Sequence, residues 1–309
     1  MSTTTITTTA TEPVLPQIQA EITYLDRAVT KPYQYLCPSP AGDRKDNFVR
    51  TPTPVRITDL SRTSAQQRSD LGISTRQAGF EIVPGFGREA TASAWQAEKW
   101  NDDAWLRDVY YADTDALVKQ HLLGRDARGR KVTNTFVFDH TVRKSQTAHL
   151  PDTPENRKPV SMAHCDQSRW SGENRIRRHL GDEVLARVKR GEVQCQLVNV
   201  WRPLRGPVEE HPLAMADSRS VTPSDWEPSE LRYETWTGQT LLIHPPAEGE
   251  PQHKWYYYKG LDTNQAILLK CYDSETETRT PHTAFIDPTT ARDAAPRWSI
   301  ELRVLVLIE

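Results

Sequence analysis

With 309 residues, 37% of them hydrophobic, and nine tryptophans and ten tyrosines, the chain has the material for a sizeable core, which excludes a disordered protein. Its net charge is −2 with both signs well mixed, which excludes the basic footprint that a nucleic-acid backbone demands. No apolar run approaches the ~20 residues needed to cross a bilayer, so no membrane span is expected.

The Thr-rich residues 1–17 read as a flexible tail without the basic start or apolar stretch of a secretory signal, so a cytoplasmic protein is expected. A single domain over 18–309 should follow. Lys31 to Pro54 carries five prolines and should be an extended arm across the body rather than a helix or central strand. Asn101-Asp102-Asp103 opens a helical stretch whose acids come early and whose Lys119 and His121 come late, as helix dipoles favour; Gly124 suits the position just past its end. A shorter helix is expected over Asp182–Lys189, stopped by Gly191.

From about residue 131 the pattern turns to strands: Thr133–Asp139, Val193–Trp201, Thr240–His244, Lys254–Tyr258, Ala266–Tyr272 and Trp298–Ile308. They are rich in β-branched and aromatic residues and separated by Gly, Pro, Asp and Ser clusters. The expected class is mainly β with flanking helices: a β-sandwich or open barrel under a helical N-terminal layer. In the last strand Trp298, Ile300, Leu302, Val304, Val306 and Ile308 share one face, and Arg297, Ser299, Glu301 and Arg303 the other. That polar face is either solvated or turned into a lumen, and the strand by itself does not choose.

The four cysteines, at 37, 165, 195 and 271, form no CxxC pair and no disulfide framework. Of nine histidines, only His164 stands in an H-x-D triplet, SMAHCDQS. On a strand, residues i and i+2 share a face, so His164 and Asp166 can enter one cavity and supply two ligands of a facial triad. Nitrogen and oxygen donors without thiolate suit iron(II). The third ligand is expected to be His282 in TPHTAFIDP. Pairing of 282–286 with 297–301 would set it in one wall with Arg297, whose fork could take a carboxylate, assisted by Ser299.

H-x-D alone is a weak motif, and His253 in QHKWYYYK competes for the third place. Cys165 should face away and be inert. Arg202 is expected to pair with a buried acid such as Asp217. Lys270, on a core strand, must snorkel, pair, or serve as a second carboxylate anchor. Trp255 to Tyr258 read as core and rim packing. Pocket walls are expected from the arm before residue 80, the Trp170–His179 segment and this aromatic strand.

AHCDQS, the NVWRPL to DSRSV stretch, HKWYYY, LLKCYDSE, PHTAF and PRWSIELR occur in that order. The string resembles the hydroxylase/desaturase family of iron(II)- and 2-oxoglutarate-dependent oxygenases of fungal natural-product pathways, over roughly residues 78 to 309. The resemblance implies a double-stranded β-helix (a cupin-like jelly roll), a metal triad of His164, Asp166 and His282, and Arg297 of the R-x-S triplet as 2-oxoglutarate anchor. A long gap between His282 and Arg297 keeps Arg292 and Arg303 in contention. The implied activity is hydroxylation, desaturation or oxidative cyclisation of a small natural-product intermediate through an iron-oxo species, with dioxygen as second co-substrate. The rival readings are a 2-oxoglutarate-independent iron oxidase or zinc hydrolase on the same fold, and an inactive jelly roll that only binds. A homodimer is a common state for such chains.

Overall fold

In the computed structural model, residues 15–84, 99–122, 129–147, 153 and 157–309 are described. The first fourteen residues of the expected tail, and Gly124 at the expected helix end, lie outside them. Among the described residues, fourteen strands run in chain order. They are β1 (Gln17–Leu25), β2 (Tyr33–Tyr35), β3 (Arg50–Asp59), β4 (Phe80–Pro84), β5 (Val132–Lys144), β6 (His164–Cys165) and β7 (Gln194–Pro203), then β8 (Leu213–Ala216), β9 (Trp226–Arg232), β10 (Thr237–Ile243), β11 (Trp255–Tyr257), β12 (Gln265–Asp273), β13 (His282–Ala284) and β14 (Trp298–Ile308). Among the described residues, the helices of six residues or more are α1 (Ala65–Asp70), α2 (Tyr111–Leu122), α3 (Arg169–Leu180) and α4 (Asp182–Lys189).

The strands form two sheets, ordered β1-β3-β11-β8-β13-β6-β10-β9-β2 and β4-β12-β7-β14-β5. Their central strands make a jelly roll, as the sequence pattern and the resemblance implied. The arm differs from expectation: β1 and β3 pair over their full length, and β3 is not an edge strand but also meets β11. Its prolines are tolerated because Pro52 and Pro54 precede the β11 contact, which begins at Ile57. They are two residues apart, so both missing N–H groups fall on the same side of the strand.

The two faces of β14 settle the question its sequence left open. Trp298, Ile300, Leu302, Val304, Val306 and Ile308 pack with Trp100, Leu106, Tyr110, Leu117, Val118 and Leu122. This is the helical layer, lying on the outside of the five-stranded sheet. Each such side chain contributes on the order of 2 kcal/mol by leaving water. The opposite face, Arg297 to Arg303, is therefore turned inward, into the space between the sheets. The expected helical stretch is less regular than its charge order suggested. Asp102 caps a turn at Asp103–Trp105, which passes through a π segment at Leu106–Tyr110 before becoming α2.

Candidate metal centre

The local sequence A-H-C-D-Q-S builds the centre in five steps. His164 and Cys165 are the two residues of β6, bound on one side to β10 through Leu242 and Leu241. Asp166 follows in a bend, and Ser168 accepts from the Ser171 N–H to cap α3. The chain thus turns from strand to helix immediately after its second donor. Gly172 lets that helix approach closely, since a Cβ there would run into the ring of Tyr272. Cys165 is buried on the other face among apolar residues, as expected of inert packing.

His282 lies directly opposite His164 in the β13–β6 pair, with ring centroids 4.5 Å apart. The expected pairing of 282–286 with 297–301 does not occur: β13 also pairs with β8, in the nine-stranded sheet, and β14 pairs with β5 and β7 in the other. The turn-rich segment between them carries the chain from one sheet to its partner instead of closing a hairpin. His282 and Arg297 therefore belong to different walls of one lumen.

The hydrogen bonds fix how the imidazoles are presented. His164 Nδ1 lies 2.8 Å from the Met162 carbonyl and His282 Nδ1 3.0 Å from the Thr280 carbonyl. A carbonyl only accepts, so both Nδ1 atoms carry the proton and both Nε2 atoms turn to the lumen. These sit 3.3 and 3.9 Å from Asp166 Oδ1, and the donor atoms all lie within 4.8 Å of one another. Asp166 Oδ2 is taken up by Asn199 Nδ2 at 2.9 Å and by Arg303 Nε and Nη2, each at 3.1 Å. Oδ1 is left for the shared point. Two imidazoles and one carboxylate without thiolate are the donor types that a mononuclear iron(II) facial triad uses.

Electrostatics follow from this packing. Burial, reinforced by neighbouring His164, pushes His282 down to about 4, so it stays a neutral ligand. Burial opposes the charge of Asp166, but Arg303 and the two imidazoles outweigh it and hold the carboxyl well below its usual range. His164 is also pushed down by burial, but the Asp166 contact wins and its net shift is upward. Protons and a cation therefore compete for His164 Nε2.

The inward face of β14 forms cross-strand rows with its neighbours: Asn199, Arg303 and Asp139; Trp201, Glu301 and Thr141; Pro203, Ser299 and Arg143. Arg303 spends its donors on Asp166, Asp139, Thr141 and Glu301, which suits a brace for the metal ligand better than an anion anchor. Lys270 pairs with Asp273 at 2.9 Å, both buried, so of its three expected fates it takes the ion pair. Arg292 is exposed on a loop.

Arg297 and Ser299 differ from these. Both are buried, and Arg297 Nε and Ser299 Oγ have no hydrogen-bond partner; Arg297 gives one bond, from Nη1 to the His211 carbonyl. Burial, then the charge of Arg143, pulls Arg297 down to about 9. Orphaned buried donors beside two cations fit the distal carboxylate of a short dicarboxylate.

His253 is bonded to Asp225 and Tyr24 and is no ligand. Arg202 binds the Thr263 carbonyl and the Tyr110 hydroxyl, and the expected partner Asp217 instead pairs with Arg219. Asn199 and Arg143 were missed by sequence reasoning. The alternation Asp139, Thr141, Arg143 in VFDHTVRK was the available signal for the second; nothing local marked the first.

A cavity of about 1410 Å³ opens from His164, Asp166 and Arg303. Its walls include Gln34, Phe48 and Arg50 of the arm, and Trp170, Arg175 and Arg178 of α3. Trp255 and Tyr257 are buried in the core and do not line it, contrary to expectation.

Fold and donor set together define a non-haem iron oxygenase of the jelly-roll type. A family model described as "Oxidoreductase/YMDC permease-like domain" matches residues 22–307. The chain is 30% identical over 284 residues to "Fe(II)/2-oxoglutarate-dependent dioxygenase nvfI" of Aspergillus novofumigatus, covering 89% of this chain and 90% of that protein. It is 26% identical over 293 residues to "Hydroxylase/desaturase poxK" of Penicillium oxalicum, covering 87% and 83%. The solved structure of "iron and alpha-ketoglutarate-dependent endoperoxidase NvfI" superposes with a TM-score of 0.76 at 25% identity, over 94% of this chain and 97% of that one. The chain belongs to this matched oxidoreductase family and, within it, to the hydroxylase/desaturase group of Fe(II)/2-oxoglutarate-dependent oxygenases. It is an enzyme that uses iron(II), 2-oxoglutarate and dioxygen. No described helix is long and apolar enough to cross a membrane.

Proposed function

We propose that His164, Asp166 and His282 hold the iron, that Arg297 with Ser299 holds the distal carboxylate of 2-oxoglutarate, and that the enzyme oxidises an unactivated C–H bond of a small natural-product intermediate. The observation that carries the reading is the convergence of two oriented Nε2 atoms on Asp166 Oδ1. Bound iron and 2-oxoglutarate supply the oxidising chemistry, consuming dioxygen and releasing succinate and carbon dioxide. The chain's own groups do the positioning. The Met162 and Thr280 carbonyls keep the imidazoles from rotating, and Asn199 and Arg303 hold Asp166 with one oxygen forward. Arg143, the cross-strand partner of Ser299, adds positive charge where the dicarboxylate ends. Whether one hydrogen is replaced by hydroxyl, or two are lost to an alkene or ring, depends on where the substrate carbon rests relative to His164 and Asp166.

The fit of Arg297 and Ser299 to a carboxylate favours this reading over an oxoglutarate-independent oxidase, which would gain nothing from them. The four free thiols are compatible with the proposed cytoplasmic setting. The test is carbon dioxide release from carboxyl-labelled 2-oxoglutarate, with and without iron(II). Release that depends on iron and vanishes in Asp166→Ala supports the assignment; equal release in that variant overturns it.

A further inference from the structure

We infer that the substrate carries an anionic group on a flat apolar body, the anion meeting Arg175 and Arg178 of α3 and the body lying on Trp170, Tyr233 and Trp236. This rests on the proposed metal assignment, which decides which end of the cavity is reactive.

The first observation is charge. The chain as a whole is −2, yet the cavity is lined by nine Lys and Arg residues against three Asp. Much of that charge is locally answered: Arg303 pairs with Asp166 and Asp139, Arg107 with Asp103 and Arg50 with Asp46. Helix α3 separates the two kinds of arginine cleanly. Arg169 and Arg177 do not line the cavity, and each has an acid, Glu277 at 2.6 Å and Asp182 at 2.9 Å. Arg175 and Arg178 do line it and have none among the described residues. Arg175 is half-buried, its guanidinium 5.6 Å from the ring centre of Phe138. Burial and the charges of Arg303 and Arg178 pull its pKa downward and outweigh the opposing charge of Asp139, which forms its ion pair with Arg303. Planar guanidinium forks three residues apart on one helix face suit a carboxylate or a phosphate ester, which share this chemistry.

The second observation is the aromatic wall. Trp170 and Trp236 are 53% and 42% exposed although they line a concave surface, and the rings of Tyr233 and Trp236 stack at 3.9 Å with 9° between planes. Large rings left open in a cavity are a platform that a flat apolar ligand would cover. Arg175 acts electrostatically on Tyr233, which places this cation at the edge of that platform.

The test uses four probes with one aromatic body: 1-naphthoate, 1-naphthyl phosphate, 1-naphthalenemethanol and 1-naphthalenemethylamine. Binding to the full chain is measured by calorimetry with manganese(II) and saturating 2-oxoglutarate, which fills the Arg297 anchor, and again without either. At least one anion should bind ~10-fold or more tightly than the alcohol, with the amine weakest. The better anion then names the source. The double variant Arg175→Gln, Arg178→Gln should lose that preference while its affinity for 2-oxoglutarate stays unchanged, which also shows that it folds. Equal binding of anion and alcohol, or a preference that survives the double substitution, overturns the inference. So does stoichiometric displacement of the anion by 2-oxoglutarate. A preference for anions persisting in a protein that never binds 2-oxoglutarate would contradict the proposed function and leave the anion site standing.

Discussion

The two walls of the lumen solve different problems. On the nine-stranded sheet, every metal-ligand side chain has its spare polar atom satisfied by the protein: Nδ1 of each imidazole by a carbonyl, and Oδ2 of Asp166 by Asn199 and Arg303. On the five-stranded sheet, Arg297 Nε and Ser299 Oγ are buried without partners. The proposed metal ligands are pre-oriented, whereas the row proposed to receive the exchangeable anion keeps its donors unpaired. Buried orphan donors cost stability, so they persist where a ligand repays them.

Breaking the oriented wall should have the largest effect. Asp166→Ala removes the only anionic ligand and leaves Arg303 facing two imidazoles; stoichiometric iron binding and turnover should both disappear, as read by metal analysis and succinate formation. Arg297→Leu should spare iron but raise the 2-oxoglutarate needed for half-saturation. Loss of hydrogen bonds to a charged group is worth about 1.5–3 kcal/mol, or ~10- to 100-fold. If Arg303→Ala does this and Arg297→Leu does not, the roles of the two arginines are reversed. Asn199→Ala touches the link between the walls and should weaken metal affinity by ~10-fold or somewhat more, as second-shell substitutions do. Ser299→Ala should be smallest, a few-fold in 2-oxoglutarate affinity.

The pH dependence sharpens the same contrast. His282 stays neutral to about 4, but the pKa of His164 is raised in the metal-free protein, so protons compete with metal there. Metal affinity should be full above that raised value and fall as pH drops through it, while His282 contributes nothing to the fall until far lower. Titrations of iron(II) or manganese(II) across this range follow it directly.

The proposed triad could be put forward because two of its members stand at i and i+2, a spacing that turns both to one face of an extended segment. His282 required a partner from elsewhere, and the resemblance, not the spacing, singled it out against His253. The wrong pairing of His282 with the Arg297 strand had a physical source. Two strands joined by a turn-rich segment usually form a hairpin, and only the sheet assignment reveals that the segment crosses between layers. The face of β14 could not be chosen from its own residues, since a solvated and a luminal polar face have the same alternation. Asn199 and Arg143 became visible only through cross-strand register. The arm's pairing as β3 was hidden because prolines normally argue against an inner strand.

The central claim is that one point is shared by His164, Asp166 and His282 and that 2-oxoglutarate reaches it from the Arg297 side. Anaerobic titration of the metal-free protein with iron(II), then 2-oxoglutarate, tests it most directly by the visible iron-to-oxoacid charge-transfer band. The account predicts a band in the wild type, none in His282→Ala, and in Arg297→Leu the same band at a higher 2-oxoglutarate concentration. A band of normal intensity in His282→Ala, or none in the wild type despite stoichiometric iron, would contradict it.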